Sequence, residues 1–156
     1  MCGFVGYITR DALTARDAPT VRAMASVIAH RGPDDEGVWT DEAAGVALAH
    51  RRLSIVDLSP AGHQPMASHA GRYVIVFNGE IYNHAGLRER LTSEGRAPAA
   101  WRGHSDTEVL LEAIAAWGLP ATLERCVGMF AFALWDRHER TLSLARDRLE
   151  IGRAHV

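Results

Sequence analysis

Seven apolar residues, MFAFALW, run without a polar interruption through positions 129–135. A strand with one face in water alternates apolar and polar side chains, whereas this segment presents apolar side chains to both faces. A polar turn sequence, RHER, separates it from a second strand-like segment, TLSLARD. The two segments predict a β-hairpin whose first strand is covered on both sides, as in a core between two sheets with helices outside.

The rest of the chain alternates strand-like segments, helix-like segments and turn sequences. GFVGYIT predicts a first strand, the next helix takes Asp17 as its N-cap, and short extended segments occupy residues 37–77. Asn83 is the predicted cap of a second helix, and a capping box of Ser105 and Glu108 begins a third. This order contains no internal repeat or linker and predicts a single α+β domain.

Composition and charge restrict the function classes. A chain of 156 residues supports one domain with a real core, and its net charge of −2 indicates no basic surface for nucleic acid. No segment is apolar for long enough to span a membrane, and the N-terminus lacks a signal-peptide pattern, so we predict a cytoplasmic protein without membrane contact. The eight histidines lack the paired spacing of metal ligands, and no metal site is predicted.

The cysteine at position 2, followed by glycine, allows two interpretations. Inside a strand, Cys2 is a small buried hydrophobe. After removal of Met1, it would carry both a thiol and a free α-amino group, which combines a nucleophile and a base in one residue. The chain's other cysteine, Cys126, is predicted to be a small buried hydrophobe. Two cysteines are too few for a disulfide framework.

Polar residues also stand beside strands that should be buried. For Asn78-Gly79, after the strand YVIVF, a hairpin turn is the favoured interpretation and a pair of oxyanion-binding amides is the alternative. Arg51 and Arg52 should point to opposite strand faces, so that one reaches a pocket and binds a carboxylate, or both line a solvated edge. Asp106 suits the first turn of its helix, and with Arg52 it would form a clamp for the two charges of an amino acid.

The complete set of motifs resembles one family. In order along the chain they are MCGFVGY, HRGPDDEG, LAHRRLSIVDLSPAGHQPM, FNGEIYNH, SDTEVLL, GMFAFALWD and LARDRL. This set is similar to the N-terminal glutaminase domain of glutamine-hydrolysing asparagine synthetases, a class II glutamine amidotransferase of the N-terminal nucleophile hydrolase group. The resemblance implies a four-layer αββα sandwich of two mainly antiparallel sheets flanked by helices.

The resemblance also implies roles for individual residues in the hydrolysis of L-glutamine. Cys2 would be the nucleophile, and Asn78 with the backbone N–H of Gly79 would form the oxyanion hole. The implied substrate-binding residues are Arg52, Leu53, Ser54, Ile55, Val56, Asn78, Gly79, Glu80 and Asp106. Arg52 and the backbone that follows it would hold the glutamine carboxylate, and the two acidic residues would contact its α-ammonium group.

The C-terminus departs from the family pattern. Glu150 stands where the family has glycine, so we assign residues 1–149 to the amidotransferase domain and 150–156 to an atypical tail.

The sequence has no Gly-rich phosphate loop, so ATP and magnesium are expected in a C-terminal synthetase domain of a longer parent. No cofactor is expected for the amidotransferase domain itself. A homodimer is a candidate assembly. The alternatives are a non-catalytic glutamine-binding or regulatory module, a paralogue's domain acting on another acceptor, and a truncated product that does not fold stably.

Overall fold

A computed structural model of the protein describes residues 2–54 and 59–148. Two antiparallel sheets and four helices make up this part of the chain. Sheet A has the strand order β1-β3-β2, with β1 Gly3–Ile8, β2 Asp35–Asp41 and β3 Val46–Arg52. Sheet B has the order β4-β5-β6-β7, with β4 Met66–Ala67, β5 Tyr73–Ile81, β6 Gly128–Asp136 and β7 Thr141–Arg146. The helices are α1 Asp17–Val27, α2 His84–Ser93, α3 Asp106–Trp117 and α4 Leu119–Arg125.

In the part of the chain that the structure describes, three apolar clusters separate the layers. One lies between α1 and sheet A and contains Val21, Ala25, Ala47 and Ala49. The second lies between the two sheets and contains Val46, Leu48, Val74, Val76, Ala133 and Trp135. The third lies between sheet B and helices α2 and α3, and its members include Ile75, Phe77, Leu87, Leu110, Ile114 and Phe132. The layers therefore run helix, sheet, sheet, helix, and the predicted four-layer α+β sandwich is confirmed.

Strand β6 is buried on both faces, as the run MFAFALW predicts. Phe132 and Leu134 pack toward the helices, whereas Ala133 and Trp135 pack toward sheet A. The hairpin is also confirmed, because β6 pairs with β7 from Asp136↔Thr141 to Ala131↔Arg146. None of the helices in residues 2–54 and 59–148 is long and apolar enough to cross a membrane.

The first helix starts one residue earlier than predicted, and the predicted cap of the second helix makes no capping hydrogen bond. Asp17 is the first residue of α1 rather than its cap, and its carboxylate accepts hydrogen bonds from the Thr14 N–H and the Tyr7 hydroxyl. Asn83 is the N-cap residue of α2, as predicted, but its side chain makes no capping hydrogen bond and instead donates to the Arg125 carbonyl and accepts from the Val127 N–H. In both cases the side chain bonds outside its helix and does not accept from the first N–H groups of that helix.

The predicted capping box of α3 forms only in part. The Ser105 hydroxyl accepts a hydrogen bond from the Thr107 N–H, as expected of an N-cap. The Glu108 carboxylate instead accepts from the N–H groups of Arg102 and Gly103. Glu108 is buried, and the loop before α3 offers its carboxylate two backbone N–H donors, whereas a capping box would offer it only the N–H of Ser105.

Candidate active site

The start of β1 and the end of β3 lie together, next to the second half of β5, at one end of the sandwich. In sheet A, Gly3 at the start of β1 pairs with Arg51 at the end of β3. Between the sheets, the His50 side chain on β3 hydrogen-bonds through Nε2 to the Phe77 carbonyl on β5, at 3.0 Å. The start of β1 and the end of β3 therefore lie beside β5 at Phe77, which directly precedes Asn78 and Gly79. These three segments carry most of the residues predicted to be functional.

The strand alternation gives these residues a common face. Phe4 on β1, Leu48 on β3 and Val76 on β5 all belong to the cluster between the sheets. Side chains two or four residues away on the same strand share that face. At this end of the sandwich, those side chains are Cys2, Arg52 and Asn78.

The Cys2 thiol lies against the backbone that follows β3. Its Sγ accepts a hydrogen bond from the Leu53 N–H at 3.3 Å and lies 3.6 Å from the Leu53 carbonyl oxygen, to which the thiol donates. Arg31 donates through Nε to the Cys2 carbonyl at 3.1 Å. Side-chain and main-chain contacts thus both hold the half-buried Cys2, and the thiol has a defined direction.

Arg51 and Arg52 point to opposite faces of β3, as predicted. Arg51 pairs with Glu36 and donates to the Gly32 carbonyl on the outer side of sheet A. Arg52 is only 8% exposed, and its Nη1 donates to the Ser59 carbonyl at 3.0 Å. A Cβ added to Gly62 would overlap Nη2 of Arg52, so the guanidinium keeps this position only beside a glycine and would have to shift for a larger residue.

The segment after Arg52 is held by a residue that the sequence patterns did not identify. Asp34 donates its N–H to the Arg52 carbonyl, and its carboxylate accepts from the Ser54 N–H at 2.8 Å. These bonds orient the backbone at Leu53 and Ser54. Two residues of the predicted substrate-binding segment, Ile55 and Val56, lie outside the described residues, as does the predicted tail 150–156.

The interpretation of Asn78-Gly79 as a hairpin turn is wrong. Both residues lie inside β5, where Asn78 pairs with Ala131 and Gly79 with Phe130 on β6. Gly79 has φ +150°, which L side chains rarely adopt, and a Cβ there would overlap the Met129 carbonyl. Pairing with the long strand β6 overrides the local tendency of Asn-Gly to form a turn. Glycine is required at position 79 because the backbone of β6 lies too close to leave space for a Cβ atom.

The backbone N–H of Gly79 points away from β6. Phe130, its cross-strand partner, directs its backbone groups to Asp147 on the β7 side instead: its carbonyl accepts from the Asp147 N–H, and its N–H donates to the Asp147 carboxylate. Antiparallel pairs alternate between bonded and non-bonded, so Gly79 and Phe130 form a non-bonded pair. No side chain in residues 2–54 and 59–148 accepts a hydrogen bond from the Gly79 N–H, and the residue is exposed.

Buried side chains occupy the same edge of β5 on either side of Gly79. The Phe77 N–H donates to Gln64 Oε1 at 2.6 Å, and the Ile81 N–H donates to Asp106 Oδ2 at 2.8 Å. Among residues 2–54 and 59–148, neither amide has a strand partner on this edge, because β4 pairs only with Val74 and Ile75. Gly79 thus presents its donor between two amides that the protein itself satisfies.

Asp106 is a buried carboxylate at the first position of α3. It also accepts from the Thr107 N–H at 2.8 Å. Burial raises the pKa of Asp106 above its usual range, and its backbone hydrogen bonds offset part of that rise. The exposed carboxylate of Glu80 acts in the same direction, whereas His84 lowers the pKa. Asp106 and Glu80 are therefore close enough to interact, and together they favour a cation at this end of the site.

Two residues with potential chemistry are engaged elsewhere. Burial lowers the pKa of His50 to about 4, so its ring is neutral at pH 7 and donates Nε2–H to the Phe77 carbonyl. Burial raises the pKa of the Cys126 thiol to about 11, and Cys126 packs against the cluster between sheet B and the helices. Within the described residues, no group of three or more His, Cys, Asp or Glu side chains is arranged to hold a metal ion.

Comparison with known proteins agrees with the resemblance seen in the sequence. A family model described as a glutamine amidotransferase domain matches residues 1–152. "Asparagine synthetase [glutamine-hydrolyzing] 1" of Bacillus subtilis is 41% identical over 149 residues, which cover 94% of this chain and 22% of that protein.

Two further relatives show the same partial coverage. A "Putative asparagine synthetase [glutamine-hydrolyzing]" of Mycobacterium bovis is 42% identical, and "Amidase chry2" of Gibberella zeae is 37% identical. The matches cover 94% and 97% of this chain, and the chain spans 24% and 23% of the two relatives' lengths. The predicted resemblance is confirmed, and the chain belongs to the glutamine amidotransferase domain family.

Proposed function

We propose that this domain hydrolyses L-glutamine to glutamate and ammonia, with Cys2 as the nucleophile. The observation that carries the proposal is the position of the Cys2 thiol. The thiol lies against the Leu53 backbone, at the end of the sandwich where β5 carries Asn78 and Gly79. The N–H of Gly79 points away from β6. The membership of residues 1–152 in the glutamine amidotransferase family supports the choice of substrate.

The reaction needs only the thiol, an amine and water. After removal of Met1, the α-amino group of Cys2, with an ordinary pKa of about 7.7–8.0, accepts the thiol proton. Sγ bonds to the side-chain amide carbon of glutamine, the C–N bond breaks, and ammonia leaves with a proton returned by the amine. Water then attacks the γ-glutamyl thioester, glutamate is released and the thiol is restored.

Two donors stabilise the negative oxygen of each tetrahedral intermediate. They are the side-chain amide of Asn78 and the backbone N–H of Gly79, which meet charge that exists only near the transition state. The buried guanidinium of Arg52, with the backbone of the 53–56 segment, binds the glutamine α-carboxylate. The carboxylates of Glu80 and Asp106 bind the α-ammonium group. No cofactor takes part in this half-reaction.

The ammonia is used by a longer parent protein in this proposal. The chain spans about a quarter or less of the relatives reported above, and two of them are named as asparagine synthetases. We therefore expect a C-terminal synthetase domain that uses ATP and magnesium to amidate aspartate to asparagine. A different carboxylate acceptor is the second candidate, because "Amidase chry2" matches the chain about as well. The unpaired thiols of Cys2 and Cys126 suit a reducing cytoplasm.

The first test is glutamine hydrolysis by the purified chain, followed as glutamate and ammonia. The mature protein is expected to weigh one methionine less than the translated chain. Cys2→Ala should abolish hydrolysis and leave the melting temperature unchanged. A variant with an uncleavable extension before Cys2 keeps the thiol but converts the amine into an amide, and its turnover should collapse. Hydrolysis at the unextended rate in that variant would exclude the terminal amine as the base.

The acceptor is tested separately in the full-length parent. With glutamine, ATP and magnesium present, aspartate should be converted to asparagine in proportion to the glutamate formed. Glutamine hydrolysis without asparagine formation would leave the glutaminase proposal intact and would favour another acceptor.

A further inference from the structure

We infer that Gln64 is a positioning residue for the proposed glutaminase reaction, because it fixes the strand segment that carries Asn78 and Gly79 relative to α3. This inference rests on the proposed function and adds a residue with no contact to the substrate. The side chain of Gln64 bridges the amide that precedes Asn78 and the helix residue that follows Asp106.

The contacts of Gln64 are buried and use both ends of its amide. Oε1 accepts from the Phe77 N–H at 2.6 Å, and Nε2 donates to the Thr107 hydroxyl at 3.5 Å. Gln64 is 5% exposed, and Phe77 and Thr107 are buried with it. A buried amide that binds two elements at once restricts their relative movement, because loss of either bond leaves a polar group unsatisfied.

Gln64 and Asp106 hold the two ends of the segment from Phe77 to Ile81. Gln64 binds the N–H of Phe77, Asp106 binds the N–H of Ile81, and the N–H of Gly79 points in the same direction midway between them. An oxyanion donor works only within about 2.7–3.1 Å of the developing charge. A small rotation of this segment would therefore misalign the Gly79 donor without unfolding β5.

The main chain at Gln64 is fixed independently of its side chain. Its backbone carbonyl packs so closely on β2 that a Cβ added to Gly37 would overlap it. A substitution at position 64 that preserves side-chain volume should therefore remove the two amide contacts and leave the loop in place.

Gln64→Met and Gln64→Glu separate the contacts from the packing. Methionine keeps a similar volume and loses both hydrogen bonds. Glutamate keeps an acceptor for the Phe77 N–H and a second oxygen that can accept from the Thr107 hydroxyl. Asp136→Asn is the matched control, since buried Asp136 binds Arg72 at the opposite end of β5.

The experiment measures glutamine hydrolysis, thermal stability, amide hydrogen exchange at Phe77 and the rate of Cys2 alkylation by iodoacetamide. In Gln64→Met we expect kcat to fall roughly tenfold or more. We also expect KM to stay within about threefold, Phe77 exchange to accelerate and Cys2 alkylation to be unchanged. Gln64→Glu should recover most of kcat, whereas Asp136→Asn should lower the melting temperature with kcat unchanged.

The possible failures are distinguishable. A wild-type chain that hydrolyses no glutamine would overturn the proposed function and this inference with it. An active wild type with full kcat in Gln64→Met would overturn the inference alone, as would equal kcat losses in the Met and Glu variants. If Gln64→Met does not fold, Thr107→Val tests the helix contact, and an unchanged kcat in that variant would count against the inference.

Discussion

Arg51 and Arg52 are consecutive in β3, yet Arg51 pairs with Glu36 on the outer side of sheet A while Arg52 donates to the Ser59 carbonyl from the inner side. We predict that Arg52→Ala raises the KM for glutamine by one to two decades, because a charge-assisted hydrogen bond contributes about 1.5–3 kcal/mol. Arg51→Ala is the control and should leave KM nearly unchanged. Steady-state kinetics of both variants check the assignment, and equal increases in KM would contradict it.

Asn78→Ala should reduce turnover far more than binding. Loss of one oxyanion donor costs about 2.7–4 kcal/mol in the barrier, so kcat should fall by roughly 10²–10³ while KM changes little. The melting temperature should be unaffected, because the Asn78 amide makes no hydrogen bond with any residue in 2–54 or 59–148. Asn83→Ala provides the opposite pattern, since its amide binds the Arg125 carbonyl and the Val127 N–H. A stability loss at Asn78 with unchanged kcat would assign it a purely structural role.

Acid should destabilise the fold through His50. Its pKa is about 4 in the folded protein against 6.5 ordinarily, so the unfolded chain binds more protons between these values. The stability contributed by neutral His50 is complete above pH 6.5 and is lost as the pH falls toward 4, by about 3 kcal/mol.

Urea unfolding at a series of pH values measures this effect. His50→Gln keeps a donor for the Phe77 carbonyl but cannot titrate, so its stability should vary less between pH 6.5 and 4. His138→Gln is the control, because it replaces a histidine whose side chain is 76% exposed. The same pH dependence in His50→Gln and the wild type would show that another group is responsible.

Thiol reagents should distinguish the two cysteines. With its pKa near 11, the Cys126 thiol is almost entirely protonated at pH 7 and should react slowly. We predict that iodoacetamide labels Cys2 first, with loss of glutaminase activity in step, and that Cys126→Ala retains activity. Peptide mapping after partial labelling makes the measurement, and inactivation that follows Cys126 labelling would transfer the nucleophile to that residue.

Local patterns in the sequence predicted those elements in which buried and exposed side chains repeat at regular intervals along the chain. The run MFAFALW predicted a strand covered on both faces, and strand alternation predicted the opposite directions of Arg51 and Arg52. These inferences succeeded because side-chain direction within a strand depends only on the residue's own position. The order of the motifs along the chain also predicted the family and, through it, the layers of the sandwich.

Only the tertiary structure decided which partner each polar group takes. Asn78-Gly79 has the composition of a turn, but pairing with β6 keeps it extended. Gln64, His50 and Asp34 carried no local signal, and each gains its role from a backbone group far away along the chain. A buried hydrogen bond depends on which donors and acceptors folding brings together, and that proximity is absent from any short stretch of sequence.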